Sequence, residues 1–160
     1  MQRKNNTKKT ALPDDSGLKI GIVVSEFHKD ITWRLLDGAL ETLGMCNVKK
    51  KNIHILRVPG SFEIPFGCLS LLRGKKYDAL VALGCIIKGE TSHDVYIASA
   101  VSQGIMNLSL EYHVPISFGV VTTNNLAQAE ARSRGKTNRG KDAALAAVSM
   151  ALLKNNHNQL

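Results

Sequence analysis

Four short apolar runs, at residues 18–25, 53–58, 79–83 and 116–121, constrain the fold of this chain more than any other feature. They are partly β-branched, the composition of parallel strands covered on both faces. Helical patterns fill the gaps between them. Ile31, Leu35, Ala39, Leu40 and Leu43 recur at helical spacing, with Gly44 as the expected stop. A second helix is predicted over 64–72, with Pro65 in its first turn, where proline is tolerated. A third runs over 94–112 and ends before Pro115, and two more cover 126–134 and 140–153. The β-α-β-α-β-α-β-α order predicts an α/β fold, a three-layer sandwich around an open four-stranded parallel sheet.

At 160 residues the chain suits a single domain. Residues 1–16 are polar and basic without periodicity and read as a disordered or extended arm. The domain proper is expected over 17–154, followed by a polar tail over 155–160. The arm has no apolar core of the kind a secretory signal needs, and no apolar run is long enough to span a membrane. Three cysteines without CxxC spacing argue against a disulfide framework or a zinc site, and for a reducing, cytoplasmic location.

The formal net charge of +8 is concentrated in part at Arg132, Arg134, Lys136, Arg139 and Lys141, with no acid among residues 132–141. Aromatic residues make up only 5% of the chain, a poor supply for stacking on bases. A phosphorylated small molecule therefore fits the cluster better than nucleic acid.

The third predicted helix has no charged residue between Asp94 and Glu111, and its apolar positions spread around most of its circumference. A helix with so little polar face is covered on more than one side. In a sheet this small, the second cover is expected to be another subunit.

Ligands of open parallel sheets bind at the carboxyl ends of the strands. Here those ends read Ser25-Glu26-Phe27-His28, Val58-Pro59-Gly60-Ser61-Phe62-Glu63, Gly84 to His93, and Thr122-Thr123-Asn124-Asn125. The third is a glycine-bearing turn into a helix, which directs backbone N–H groups at an anion or is simply a βα connection. Neither a G-x-G-x-x-G after the first strand nor a G-x-x-x-x-G-K-[ST] occurs, so dinucleotide and P-loop readings lose their support. The histidines lack metal-ligand spacing.

Three of these segments carry a resemblance. Val58-Pro-Gly-Ser-Phe-Glu-Ile-Pro65, Ala82-Leu-Gly-Cys-Ile-Ile-Lys-Gly-Glu-Thr-Ser-His93 and Phe118-Gly-Val-Val-Thr-Thr123 are similar, in order, to the signature segments of 6,7-dimethyl-8-ribityllumazine synthases. The resemblance implies a flavodoxin-like fold and the penultimate step of riboflavin biosynthesis. In that step 5-amino-6-(D-ribitylamino)uracil condenses with 3,4-dihydroxy-2-butanone 4-phosphate, without a cofactor or metal. An imine forms, phosphate leaves, and the ring closes with loss of water.

It also implies roles for residues. His93 matches the proton-transfer residue. Phe27 matches a ring stacked on the pyrimidine, while Ser61, Phe62 and Glu63 match the segment that holds the ribityl chain and ring. Cys85, Ile86 and Ile87 match further pyrimidine contacts, and Gly89, Glu90 and Thr91 match the phosphate-binding turn. Arg132 matches the phosphate-binding arginine, with Lys136 in the same basic loop. Phe118 matches an aromatic residue contributed to a neighbour's site. The implied assembly is a homo-oligomer, a pentamer, which in many members closes further into a sixty-subunit shell. Asp94 and Val95 stand where the family has an aromatic residue followed by an acid, and Lys88 stands where arginine is common.

Of two other functions, the first stands as the alternative on the sequence and the second is set aside. One is a flavin- or lumazine-binding homologue with little turnover, which would not need a phosphate turn. The other is a phosphoacceptor signalling domain, which expects an aspartate at the third strand end, where Gly84-Cys85-Ile86 stands instead.

Overall fold

The structure, a computed structural model, describes residues 11–15 and 17–157. Most of the expected arm and the last three residues of the expected tail lie outside the described residues.

Four strands, β1 (Ile20–Ser25), β2 (Ile53–Val58), β3 (Ala79–Ile87) and β4 (Ile116–Thr123), form one parallel sheet in the order β2-β1-β3-β4. The helices are α1 (Lys29–Met45), α2 (Ile64–Gly74), α3 (His93–Tyr112), α4 (Leu126–Ala131) and α5 (Arg139–His157). The α/β sandwich expected from the sequence is the one observed.

Side-chain alternation along the strands divides the core in two. Ile20, Ile22, Val24, Val81 and Leu83 pack with Leu35, Ala39 and Leu43 of α1 and with Ala144, Ala147 and Val148 of α5. Val23, Leu80 and Ala82 face the other way, against Ile64 and Cys68 of α2 and Val101 and Ile105 of α3. The chain moves from β1 outward to β2, then crosses back over β1 to β3. Crossovers keep one hand, so this reversal puts α1 on the face opposite α2 and α3. It also leaves a crevice at the carboxyl ends of β1 and β3, where the direction switches.

Several boundaries differ from expectation. β3 runs four residues further, because Cys85, Ile86 and Ile87 still pair with Val121, Thr122 and Thr123 of a longer β4. Helix α1 passes through Gly44; the left-handed residue that closes it is Asn47, at φ 59°, with Val48 N–H donating to Leu43 O at 3.0 Å. Helix α4 stops at Ala131 rather than 134, while α5 extends past Leu153 through the first three residues of the expected tail.

Only Val101 and Ile105 of α3 are fully buried. Val95, Tyr96, Met106 and Leu110 are 58%, 74%, 58% and 67% exposed. The apolar residues predicted to cover a second face are present and lie bare in the single chain. Among the described residues no helix is long and apolar enough to cross a membrane.

Candidate active site

The loop after β1 keeps pairing with the loop after β2: Glu26 N–H donates to Val58 O at 2.8 Å and Phe27 N–H to Pro59 O at 2.9 Å. Phe27 is thereby held out over the strand ends, 65% exposed. His28 follows in the left-handed region at φ 56°, a conformation uncommon for a non-glycine residue. Its ring meets that of Phe27 edge-on, with centroids 4.5 Å apart.

Across the crevice, Ser61–Glu63 form a 3₁₀ turn leading into α2. This turn lies directly on β3 because residue 84 is glycine. A Cβ there would stand 2.7 Å from Ser61 Oγ and 2.8 Å from Ile64 Cδ1. The buried Ser61 hydroxyl donates to Cys85 O at 3.4 Å.

These loops and the start of α3 enclose a cavity of about 440 Å³. Ten of the fourteen sequence-expected site residues line it: Phe27, Ser61, Phe62, Glu63, Cys85, Ile86, Ile87, Gly89, Thr91 and His93. His28, Gly60, Asp94 and Ile97 line it as well, although the sequence reading did not make them site residues. His28 and Gly60 belong to the strand-end segments already singled out, so position alone was the available signal.

The cavity's chemistry is uneven. Among the described residues its lining includes the carboxylates of Glu63 and Asp94 and no lysine or arginine. Such a wall suits a neutral ligand rich in N–H and O–H donors. Burial pushes the Cys85 thiol up to about 11, so it stays protonated near neutral pH and is no nucleophile.

At one end the turn before α3 offers the opposite character. Lys88 N–H is used by Thr123 O at 2.8 Å. Among the described residues, no hydrogen bond within the protein engages the amides of Gly89, Glu90, Thr91 or Ser92. Ser92, at the N-cap of α3, makes no side-chain cap, and the side-chain contact beside it is long, from His93 N–H to Thr91 Oγ1 at 3.4 Å. Free amides at a helix N-terminus attract an anion. The Glu90 side chain is exposed and lies outside the cavity lining.

Phe118, Arg132 and Lys136 are not brought to this cavity. Phe118 is on β4 and, with Arg132, Arg139 and Asp142, lines a separate depression along that edge of the sheet. Arg132 also borders a depression next to the cavity, shared with Ile86 and Asp94. Its Nη1 donates to Gln128 O at 3.2 Å. Lys136 is exposed on the 3₁₀ turn Gly135–Thr137 and lines neither.

The loop carrying these cations is clamped to α1 by a residue the sequence reading passed over. Asn138, buried, donates through Nδ2 to Arg34 O at 2.8 Å and Ser133 O at 2.9 Å. Its Oδ1 accepts from Gly140 N–H at 2.8 Å. Gly140 is required beside it: a Cβ there would fall 1.9 Å from the carbonyl oxygen of Leu35. Among the described residues no group of three or more His, Cys, Asp or Glu side chains could hold a metal ion.

Comparison with known proteins bears on this arrangement. A sequence model of 6,7-dimethyl-8-ribityllumazine synthase matches residues 17–155. A protein of that name from Parabacteroides distasonis is 46% identical over 141 residues, which cover 88% of each chain. One of the same name from Phocaeicola vulgatus is 40% identical over 141 residues, covering 88% of this chain and 84% of the relative.

Proposed function

The chain belongs to the 6,7-dimethyl-8-ribityllumazine synthase family, and from that premise we infer how its own residues carry out the reaction. It is a transferase of riboflavin biosynthesis that condenses 5-amino-6-(D-ribitylamino)uracil with 3,4-dihydroxy-2-butanone 4-phosphate. The flavin-binding alternative has no support.

One observation carries the assignment of parts: a largely apolar cavity whose charged lining residues Glu63 and Asp94 are acidic borders a turn of unengaged amides. The first suits a diaminopyrimidine bearing a ribityl chain; the second suits a phosphate. In this reading the pyrimidine stacks on Phe27, which fixes its plane. Ser61, Glu63 and backbone groups of Phe62, Cys85, Ile86 and Ile87 take its donors. The phosphate of the four-carbon ketone rests on the Gly89–Glu90–Thr91 amides and the Thr91 hydroxyl. Arg132, with Lys136 nearby in the same loop, supplies the positive charge that the cavity wall lacks.

The protein's task is then to hold an amine against a ketone and move protons. The amine adds to the ketone and water departs, leaving an imine. Next, His93 removes a carbon-bound proton beside the imine; that bonding pair forms the new double bond, and the C–O bond to phosphate breaks. The enol so formed takes a proton at its terminal carbon and becomes a ketone. Ring closure by the ribityl-bearing nitrogen on that carbonyl expels a second water.

Phe118 lines a depression that has no lining residue in common with the cavity. This separation, with the bare apolar residues of α3, supports a homo-oligomer in which a neighbour brings its β4 edge to each cavity. The family resemblance supports a pentamer. Three unpaired, buried cysteines support a reducing, cytoplasmic setting.

Binding measurements on two variants test the division of the site. Arg132→Ala weakens the phosphorylated ketone by about 2–3 kcal/mol and leaves the pyrimidine bound. Phe27→Ala weakens the pyrimidine by about 1 kcal/mol and leaves the ketone bound. Equal loss of both ligands in both variants would contradict the layout.

A further inference from the structure

Asp94 follows His93 at the start of α3 and lines both the cavity and the depression beside it. Within the chain its one evident structural task is to oppose the dipole of α3, in whose first turn it lies. Among the described residues it accepts no side-chain hydrogen bond and enters no ion pair. Its Oδ1 is shut off from water with no donor to replace it. A first-turn aspartate serving only the helix dipole can stay fully hydrated. Keeping one carboxylate oxygen away from both water and donors is unfavourable, and such groups call for a functional explanation.

The geometry also separates Asp94 from the neighbouring imidazole. Successive helical residues point about 100° apart and do not face one another. His93 and Asp94 therefore address different parts of whatever fills the cavity.

Resting on the substrate assignment above, we propose that Asp94 is a second catalytic residue, the proton carrier for imine formation. The lone pair of the attacking amine forms the C–N bond while the carbonyl π pair moves to oxygen. The Asp94 carboxylate takes one N–H proton and passes it to that oxygen, giving the carbinolamine. As the nitrogen lone pair then forms C=N and the C–O bond breaks, the second N–H proton follows the same route. The oxygen leaves as water, and the carboxylate ends as it began. His93 is left with the carbon-bound proton whose removal expels phosphate.

Asp94→Asn keeps the shape and removes the proton acceptor. Corrected for the spontaneous reaction, its kcat falls about tenfold or more, while KM for each substrate stays within about threefold. The melting temperature does not change. Asp94→Glu recovers part of kcat. An Asn variant with unchanged kcat overturns the proposal, as does one whose loss lies only in KM or melting temperature. Absence of condensation by the unsubstituted protein would overturn the substrate assignment itself, a failure distinct from that of Asp94.

Discussion

His93 stands exposed on the first turn of α3, on the wall of the cavity and beside the amide-lined turn. In the proposed layout it exchanges protons, while Phe27, Ser61 and Glu63 hold the pyrimidine. His93→Ala should therefore slow condensation by about 10²-fold, less whatever the spontaneous reaction supplies, and leave pyrimidine affinity nearly intact. Steady-state rates and a pyrimidine titration check this; unchanged turnover with a large loss of affinity would reverse the assignment. At this scale, residue type in sequence context was informative for Phe27, Ser61, Glu63 and His93, each set in a segment of several matching residues. It was uninformative for His28 and Asp94. His28 stands in a left-handed backbone and Asp94 carries a buried oxygen without a donor; neither condition is written in residue type.

Among the elements, strand identity and parallel pairing followed from apolar runs and helical spacing, but the order β2-β1-β3-β4 and the strand lengths did not. The expected end of β3 at residue 83 reflected a glycine, whereas the strand continues because β4 offers partners as far as Thr123. Pairing between segments over 30 residues apart is invisible to a local reading. The same holds for the basic loop between α4 and α5. Its charges were plain in the sequence, while its fixation depends on Asn138 reaching Arg34 of α1. Asn138→Ala removes three hydrogen bonds from a buried position and should cost about 2–4 kcal/mol of stability. Because the loop holds Arg132, affinity for the phosphorylated ketone should fall with it, while the pyrimidine is unaffected. Denaturant unfolding and paired titrations measure the two effects; a variant of full stability with unchanged ketone affinity would show that the clamp is dispensable.

At the scale of the whole molecule, the apolar circumference of α3 was legible as an excess over what one sheet can cover. The structure accounts for that excess as side chains left bare, Tyr96 and Leu110 among them. Burying such surface between copies is worth about 25 cal/mol per Å² of apolar area, which favours association over exposure. The protein should therefore sediment as a homo-oligomer of about five subunits or more. Subunits carrying His93→Ala, mixed with subunits carrying Phe118→Ala, should recover activity that neither preparation has alone. A monomeric mass with full activity would contradict a site shared between copies. The central claim, that this chain condenses a ribitylaminouracil with a phosphorylated ketone at the ends of β1, β2 and β3, is tested most directly by one assay. Purified protein is mixed with both substrates, and lumazine absorbance and free phosphate are followed together. The account predicts a saturable rate well above the spontaneous one, with lumazine and phosphate released in equal amounts. A rate no faster than the protein-free mixture, at any substrate concentration, would contradict it.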